Sequence, residues 1–291
     1  DKNPALASGG VLAGGIFNIF GDYFFVFTCD MGAYGAGLAT AIGSAITFLI
    51  LLSHFFQKKC TLRLTRPTRL LHKLREITVT GFSTFFIDVA MGILTILFNR
   101  QIVHYLGTNA LAVYGVIVQI STFAQCCAYS IGQASQPITS VNLGAGKGER
   151  IRQLLKYALG TVACFGILWT ALSLAVPNLF IRVFMTPTPE VLQIAPEIFR
   201  RYGLAFLILP LNIYSTYYFQ ALLKPRAAFI VSVARGFVIS GILIYLLPVL
   251  LGPHAIWFSM PVTEVIVAVY VVYQMRKYTK NLDGKGVYDY E

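Results

Sequence analysis

Long, almost uncharged apolar runs recur along this chain and limit the folds that it can adopt. A helix needs about 20 mostly apolar residues to cross the hydrocarbon core of a bilayer, and eight windows meet that length. Their predicted bounds are 9–28, 33–54, 77–99, 109–136, 154–177, 199–222, 227–250 and 254–275. Because backbone groups find no water in hydrocarbon, each window is predicted to be an α-helix; strands of a membrane barrel would be shorter and alternating.

The composition supports the same class. Only 12% of the 291 residues are charged and 56% are hydrophobic, whereas soluble domains average about 25% charged residues. We therefore predict an all-α integral membrane protein with about eight transmembrane helices. The net charge of +11 would favour nucleic-acid binding in a soluble protein, but the basic residues lie in loops between apolar runs, which is typical of membrane topology. No nucleic-acid partner is predicted.

The distribution of Lys and Arg predicts the orientation. Eighteen of the 23 fall in the N-terminus, the second, fourth and sixth connections and the C-terminal tail, which all lie on one side of the membrane if there are eight spans. Four lie on the other side, and Arg235 lies inside a span. Since basic loops stay in the cytoplasm, both ends of the chain are predicted to be cytoplasmic.

The longest polar connection predicts how the chain is divided. Residues 55–76 mix basic residues with leucine, as an interfacial segment on anionic lipid would. We predict two helices in 1–54, a basic cytoplasmic linker in 55–76, a six-helix bundle in 77–275 and a polar cytoplasmic tail in 276–291.

Ionisable residues inside the spans are the candidate functional residues, because a charge at the bilayer centre costs about 2.5–3.5 kcal/mol on insertion scales. In the first span, Asn18 and Asp22 are four residues apart and share one helical face. A carboxylate and an amide oxygen so placed can hold a proton or coordinate a small cation, although a structural Asp near the end of the span would look the same. Asp88, in the middle of the third span, has the same two interpretations.

The seventh and eighth spans carry Arg235 and Glu264, and the short loop between them makes these helices antiparallel neighbours. At 1.5 Å per residue their depths differ by roughly 10 Å, so direct contact requires a kink, which Pro248 or Pro261 is placed to provide. A structural ion pair and a substrate or coupling role both remain open. Several amides inside the spans, among them Asn212 and Gln220, are predicted to line a water-filled cavity.

The sequence contains no motif that predicts enzymatic activity. It contains no phosphate-binding loop, no metalloprotease motif and no defensible Ser/His/Asp arrangement. The five cysteines and four histidines lack metal-ligand spacing, so no structural metal and no cofactor are predicted. A chain without an ATP site is expected to work as a secondary transporter driven by an ion gradient.

Several motifs in order along the chain carry a family resemblance: DKNPALA, FNIFGDYFFVF, DMGAYGAGLATAIG, GQASQPITSVNLGAGKGERIR, YYFQALLKPRAAFIVSVARG and IWFSMPVTE. Together they resemble the multidrug and toxic compound extrusion (MATE) transporters, most of all the MepA-like bacterial branch. Those transporters have twelve helices in two six-helix lobes of the MOP superfamily fold. The resemblance implies that this chain covers helices five to twelve, that is, the end of the N-lobe and a complete C-lobe, with four helices expected before it.

The resemblance also implies site residues. Asn18, Asp22 and Thr40 match the family's N-lobe cation site, which is completed by an Asp of the first helix. Asp88 is an inexact match to the acid on the seventh helix of the sodium-coupled branch. Asn212 stands where that branch has an Asp on the tenth helix, which puts a C-lobe sodium site in doubt.

The function implied is multidrug efflux: export of amphipathic, often cationic drugs by antiport with H⁺ or Na⁺ through alternating access. A monomer in the bacterial inner (plasma) membrane is expected. Two alternatives stay open. One is a flippase for lipid-linked oligosaccharides of the same superfamily, whose cavity would carry several cations; the other is a non-transporting membrane assembly subunit.

Overall fold

The computed structural model describes the backbone of residues 4–56, 70–280 and 282. The side chains of residues 4, 70, 72, 73, 75–88, 90 and 91 are not described. Within the described ranges the regular structure is helical throughout and contains no strand. The chain divides into two compact units, Asp1–Leu74 and Arg75–Glu291. The predicted linker falls mostly outside the described residues, and the four-part division of the chain stays a prediction.

The first unit is a pair of packed helices. It contains α1 (Pro4–Asp22), which continues as a π-helical segment (Tyr23–Thr28), and α2 (Gly32–Leu52), which ends in a 3₁₀ turn (Ser53–Phe56). These helices match the first two predicted spans. Many of their apolar side chains are exposed, such as Ile19 and Phe20, each about 70% exposed. Exposed apolar surface on this scale is suited to lipid contact.

The second unit is a helical bundle. Its helices are α3 (Leu70–Gly144), α4 (Gly148–Ala175), α5 (Pro177–Phe184), α6 (Pro189–Tyr202), α7 (Ala205–Ala221), α8 (Pro225–Val233), α9 (Ile239–Leu251) and α10 (Ser259–Lys280). A π-helical segment (Ala234–Val238) joins α8 to α9, and a 3₁₀ segment (Pro253–Phe258) leads into α10. The last helix ends at Lys280, so it continues into the predicted polar tail.

Two clusters of buried side chains form the core of this bundle. One is mainly aliphatic and contains a group of aromatic rings, with Phe98, Tyr114 and Trp257 in contact at ring-centre distances of 4.7–6.5 Å. The other packs α4 against α7 and α10, through residues such as Leu155, Phe219 and Val271. Interdigitated aromatic rings and aliphatic side chains hold the helices by van der Waals contact, which is the main source of cohesion between helices in lipid.

The described residues contain six helical stretches that are long and apolar enough to cross a membrane, compared with eight predicted spans. They are Ala5–Thr28, Gly32–Phe56, Gly92–Gly144, Gly148–Ala175, Pro225–Leu251 and Pro253–Lys280. The difference has two causes. The third and fourth predicted spans fall in one stretch, Gly92–Gly144, in which Gly107, at φ +81°, marks the boundary between them, and most of the third lies among residues whose side chains are not described. The sixth predicted span is divided between α6 and α7, which have only 14 and 17 residues.

Candidate functional site

A polar cluster lies where α1 packs against α2. Asn18 donates a hydrogen bond from Nδ2 to Thr40 Oγ1 at 3.2 Å. Thr40 in turn donates to the carbonyl oxygen of Ala36, one turn earlier in its own helix, at 3.0 Å. Because the nitrogen of the Asn18 amide is directed at Thr40, the amide oxygen remains available to accept a hydrogen bond or ligate a cation.

Asp22 lies one turn beyond Asn18, at the end of α1. The two side chains share a face because they are four residues apart. The Oδ1 atom of Asp22 is buried and has no hydrogen-bond partner among the described residues. A buried, unsatisfied carboxylate oxygen is costly, and binding of a proton or a small cation would relieve that cost.

Small residues allow α1 and α2 to approach closely at this cluster. A Cβ added to Gly14 would lie 2.5 Å from the carbonyl oxygen of Gly43, and one added to Gly43 would lie 2.8 Å from that of Gly14. Thr47 reinforces the contact by donating to the carbonyl oxygen of Gly10 at 3.1 Å. The close approach brings Thr40 within reach of Asn18.

This helix contact was missed by the sequence reasoning, although a signal for it exists. Gly10 and Gly14 form a small-xxx-small pattern in α1, and Gly35, Ala39 and Gly43 repeat the spacing in α2, where all three are buried. Small residues at this spacing are typical of close helix packing in membranes.

Asp88 lies within α3, but its side chain is among those that the structure does not describe. Its predicted role in cation or proton binding stays a prediction. In the described part of the chain, no group of three or more His, Cys, Asp or Glu side chains is placed to hold a metal ion.

A second polar cluster lies inside the helical bundle of the second unit. Arg235 Nε donates to Glu264 Oε1 at 2.6 Å, and the pair forms a salt bridge. Asn212 Nδ2 donates to the other carboxylate oxygen, Oε2, at 2.6 Å and to the backbone carbonyl of Glu264 at 2.9 Å. Glu264 and Asn212 are completely buried, whereas 14% of the Arg235 side chain is exposed.

The contact between Arg235 and Glu264 is direct despite their predicted difference in depth. Arg235 lies in the π-helical segment between α8 and α9, where the regular α-helical spacing is interrupted. Pro248, which the sequence offered as a cause of a kink, lies further along, inside α9. Segments of π-helix often occur at functional positions, and this one contains Arg235, the basic residue inside the seventh predicted span.

Both carboxylate oxygens of Glu264 already accept a hydrogen bond, so this side chain is poorly placed to bind a further ligand. In contrast, Oδ1 of Asn212 is buried without a hydrogen-bond partner among the described residues. Gln220, at the end of α7, is exposed and accepts a 3.4 Å hydrogen bond at Oε1 from Gln136 Nε2. Of the four predicted cavity residues, Asn212, Arg235 and Glu264 therefore form one buried triad, and Gln220 lies apart from it with an exposed amide.

A family model and curated relatives that match this chain agree with each other. The family model described as MatE matches residues 83–246. The multidrug export protein MepA of Staphylococcus haemolyticus (strain JCSC1435) is 25% identical over 280 residues, which is 94% of this chain and 61% of the relative. MepA of Staphylococcus saprophyticus is 24% identical over the same shares. The chain therefore spans about three fifths of the length of these curated relatives.

Solved structures share the fold. An outward-facing multidrug resistance MATE family transporter of the MOP superfamily superposes with a TM-score of 0.81 at 18% identity, over 94% of this chain and 62% of that one. The bent form of the Vibrio cholerae MATE transporter VcmN gives 0.78 at 20% identity, over 97% and 64%. A MOP superfamily transporter from Pyrococcus furiosus, described as having a binding pocket of reverse polarity, gives 0.80 at 17% identity, over 94% and 62%.

Proposed function

The chain belongs to the MatE family, and from that premise we propose that it acts in a secondary active multidrug exporter. In this proposal amphipathic, often cationic drugs leave the cell in exchange for H⁺ or Na⁺. The protein works by alternating access in the bacterial plasma membrane, with the C-terminus in the cytoplasm. The relatives named as multidrug export proteins support this assignment.

The observation that carries the proposal is the unsatisfied carboxylate oxygen of Asp22. Next to it, the amide oxygen of Asn18 adds a second ligand, and Thr40 fixes the orientation of that amide. Such a group changes its charge when a proton or cation binds, so it can favour one conformation of the transporter when occupied and the other when empty.

The membrane potential can supply enough free energy to drive export against a drug gradient. One charge that moves down a membrane potential of 100 mV releases about 2.3 kcal/mol. Since every 1.4 kcal/mol corresponds to a tenfold change in an equilibrium constant, one coupling ion per uncharged drug sustains a drug gradient of more than tenfold. A drug with one positive charge needs two coupling ions for the same gradient, because a one-for-one exchange moves no net charge.

The buried triad disfavours the flippase alternative. A pyrophosphate-linked substrate needs unpaired cations in the cavity, but Arg235, the basic residue that lies inside a predicted span, is neutralised by Glu264 at 2.6 Å. We propose that Asn212, Arg235 and Glu264 instead maintain the geometry of the bundle at the cavity, and that Gln220 contributes an exposed amide to it.

The first prediction concerns Asp22→Asn in the protein expressed from its complete gene. The variant keeps the size of the side chain but can no longer carry a charge, so ion-driven export should fall to the level of cells without the transporter. The measurement is accumulation of a fluorescent cationic drug in cells or proteoliposomes, with and without an imposed H⁺ or Na⁺ gradient.

Asp30→Asn is the matched control. Asp30 is exposed just beyond the π-helical segment, at φ +52°, a conformation that Asn tolerates well, so export should be unchanged. Export by Asp22→Asn at the wild-type level would refute the role of Asp22. Wild-type protein that moves lipid-linked oligosaccharides but no drug would favour the flippase, and transport of neither would favour an assembly subunit.

A further inference from the structure

Two grooves run along neighbouring faces of α10 in the second unit. Their volumes are about 790 and 720 Å³. Both contain Val272, Arg276 and Lys280, which lie at successive turns of α10 and form a ridge between them. The two grooves together are called the α10 double groove below.

The walls of the double groove are apolar along most of their length. In the first groove, Ile208 of α7 faces Val265 and Val269 of α10. In the second groove, Leu155 and Leu159 of α4 lie opposite α10. At a rise of 1.5 Å per residue, the apolar wall from Val265 to Val272 is roughly 10 Å long, and the distance from Val265 to Lys280 is about 22 Å. A groove of this length suits a lipid whose head group lies at Lys280 and whose acyl chain reaches into one leaflet of a bilayer about 30 Å thick.

The end of the double groove is strongly basic. Arg276 and Lys280 line both grooves, Lys277 lines the first and Arg152 lines the second. Arg152 Nη2 lies near the end of α10 and donates a long hydrogen bond of 3.5 Å to the backbone carbonyl of Thr279. No acidic side chain lines either groove in the described part of the chain.

We propose that the α10 double groove binds one anionic phospholipid. The phosphate lies at the ridge between Arg276 and Lys280, and the two acyl chains occupy the two apolar grooves. Basic pockets between transmembrane helices at the membrane surface recognise acidic lipid head groups in this way, and the apolar walls supply the energy of burying the chains.

The charge of the double groove selects this occupant over others. Cationic drugs would be repelled by the basic end, and a second copy of the chain would bring the same positive charges against it. A zwitterionic lipid would fill the grooves equally well but would gain less from Arg276 and Lys280, because its own cationic head group offsets the charge of the phosphate. The proposal does not depend on the transport activity, because the site lies on α4, α7 and α10 and uses none of the proposed transport residues.

The test is to titrate the purified protein in mild detergent with phosphatidylglycerol or phosphatidylcholine and to count bound lipids by native mass spectrometry. The wild type should retain one phosphatidylglycerol with clear preference over phosphatidylcholine. The double variant Arg276→Gln, Lys280→Gln should bind phosphatidylglycerol about 25-fold more weakly, since each cation contributes about fivefold. Millimolar inorganic phosphate should not displace the lipid.

Three further variants separate the effects of charge and of groove volume on lipid binding. Arg150→Gln with Arg226→Gln removes the same charge from exposed positions outside both grooves and should leave the preference intact. Arg276→Lys with Lys280→Arg keeps the charge and should keep the lipid, whereas Ala268→Trp fills the first groove and should lose it. Equal retention of the two lipids, an equal loss in the control pair, or full displacement by phosphate would overturn the proposal.

Discussion

At the scale of single residues, two carboxylates in apolar helices have opposite surroundings. Glu264 is completely buried, and its oxygens are taken by Arg235 and Asn212. Asp22 has a buried oxygen without a described partner. A carboxylate with two strong partners is suited to fixing geometry, while an open one is suited to exchanging a proton or cation. This difference separates the proposed structural residue from the proposed coupling residue.

The second prediction follows from the Glu264 ion pair. Glu264→Gln leaves Arg235 charged and buried without a counter-charge, and loss of one partner of a buried pair typically costs about 3–5 kcal/mol. Arg235→Gln should cost less, because the remaining carboxylate can neutralise itself by binding a proton whereas a guanidinium cannot lose one. The melting temperature in detergent, followed by size-exclusion chromatography after heating, measures both losses.

The exposed pair of Glu197 and Arg201 provides the comparison. Its atoms are also 2.6 Å apart, but the side chains are 51% and 31% exposed, so Glu197→Gln should cost less than about 1 kcal/mol. If Glu264→Gln and Glu197→Gln lower the melting temperature equally, the buried triad does not stabilise the bundle.

At the scale of elements, the contact between α1 and α2 positions the proposed cation ligands. The two helices touch through backbone oxygens at Gly14 and Gly43, and the hydrogen bond from Asn18 to Thr40 depends on this approach. The π-helical segment after α1 begins directly at the residue following Asp22. The second π-helical segment contains Arg235, so each polar cluster is adjacent to an interruption of regular α-helix.

The third prediction compares Gly14→Ala with Gly15→Ala. At Gly14 the new methyl group would lie 2.0 Å from Thr47 Oγ1 and 2.5 Å from the carbonyl oxygen of Gly43. The helices must separate, which should cost about 1–3 kcal/mol, as overpacking usually does, and weaken export through the displaced ligands. Melting temperature and drug accumulation measure the two effects.

Gly15 is the adjacent control, because a methyl group added there would have no neighbour within 4 Å among the residues that the structure describes. Gly15→Ala should be neutral or stabilising by up to about 1 kcal/mol, since Ala favours the helix. A Gly14→Ala variant as stable and active as Gly15→Ala would show that the close approach is not required.

At the scale of the whole molecule, the membrane fixes which way each connection faces. The α4 helix has 28 residues and is about 42 Å long at 1.5 Å per residue, which exceeds the hydrocarbon thickness of about 30 Å. Its two ends therefore lie on opposite sides of the bilayer. The excess of Lys and Arg around the start of α4, at Lys147, Arg150, Arg152 and Lys156, predicts that this end is cytoplasmic.

The fourth prediction tests that orientation by labelling. In a variant whose native cysteines are replaced by serine, Ala145→Cys before α4 should be protected from a membrane-impermeant maleimide in intact cells. Thr186→Cys, in the exposed connection between α5 and α6, should react. Both sites should react after the membrane is permeabilised, and the reverse pattern in intact cells would contradict the cytoplasmic assignment.

Much of the fold was predictable from the sequence because lipid imposes a constraint that is local along the chain. A segment must be long and apolar to span, and this property needs no knowledge of its neighbours. The first, second, fifth, seventh and eighth windows were confirmed on this basis. The sixth window was less predictable, because its division between α6 and α7 depends on backbone conformation and not on hydropathy. The break at Gly107 falls in the gap between the third and fourth windows.

By itself, the sequence determined that this chain is a membrane-embedded helical protein, and its helical spacing placed Asn18 and Asp22 on one face. The partners of the carboxylates were visible only once the helices were packed: Glu264 contacts Arg235 and Asn212, whereas the buried Oδ1 of Asp22 has no partner among the described residues. The physical reason is that a contact between helices depends on how far each is rotated and shifted against the other. That relation is set by packing and by local π-helix, and hydropathy carries no information about it.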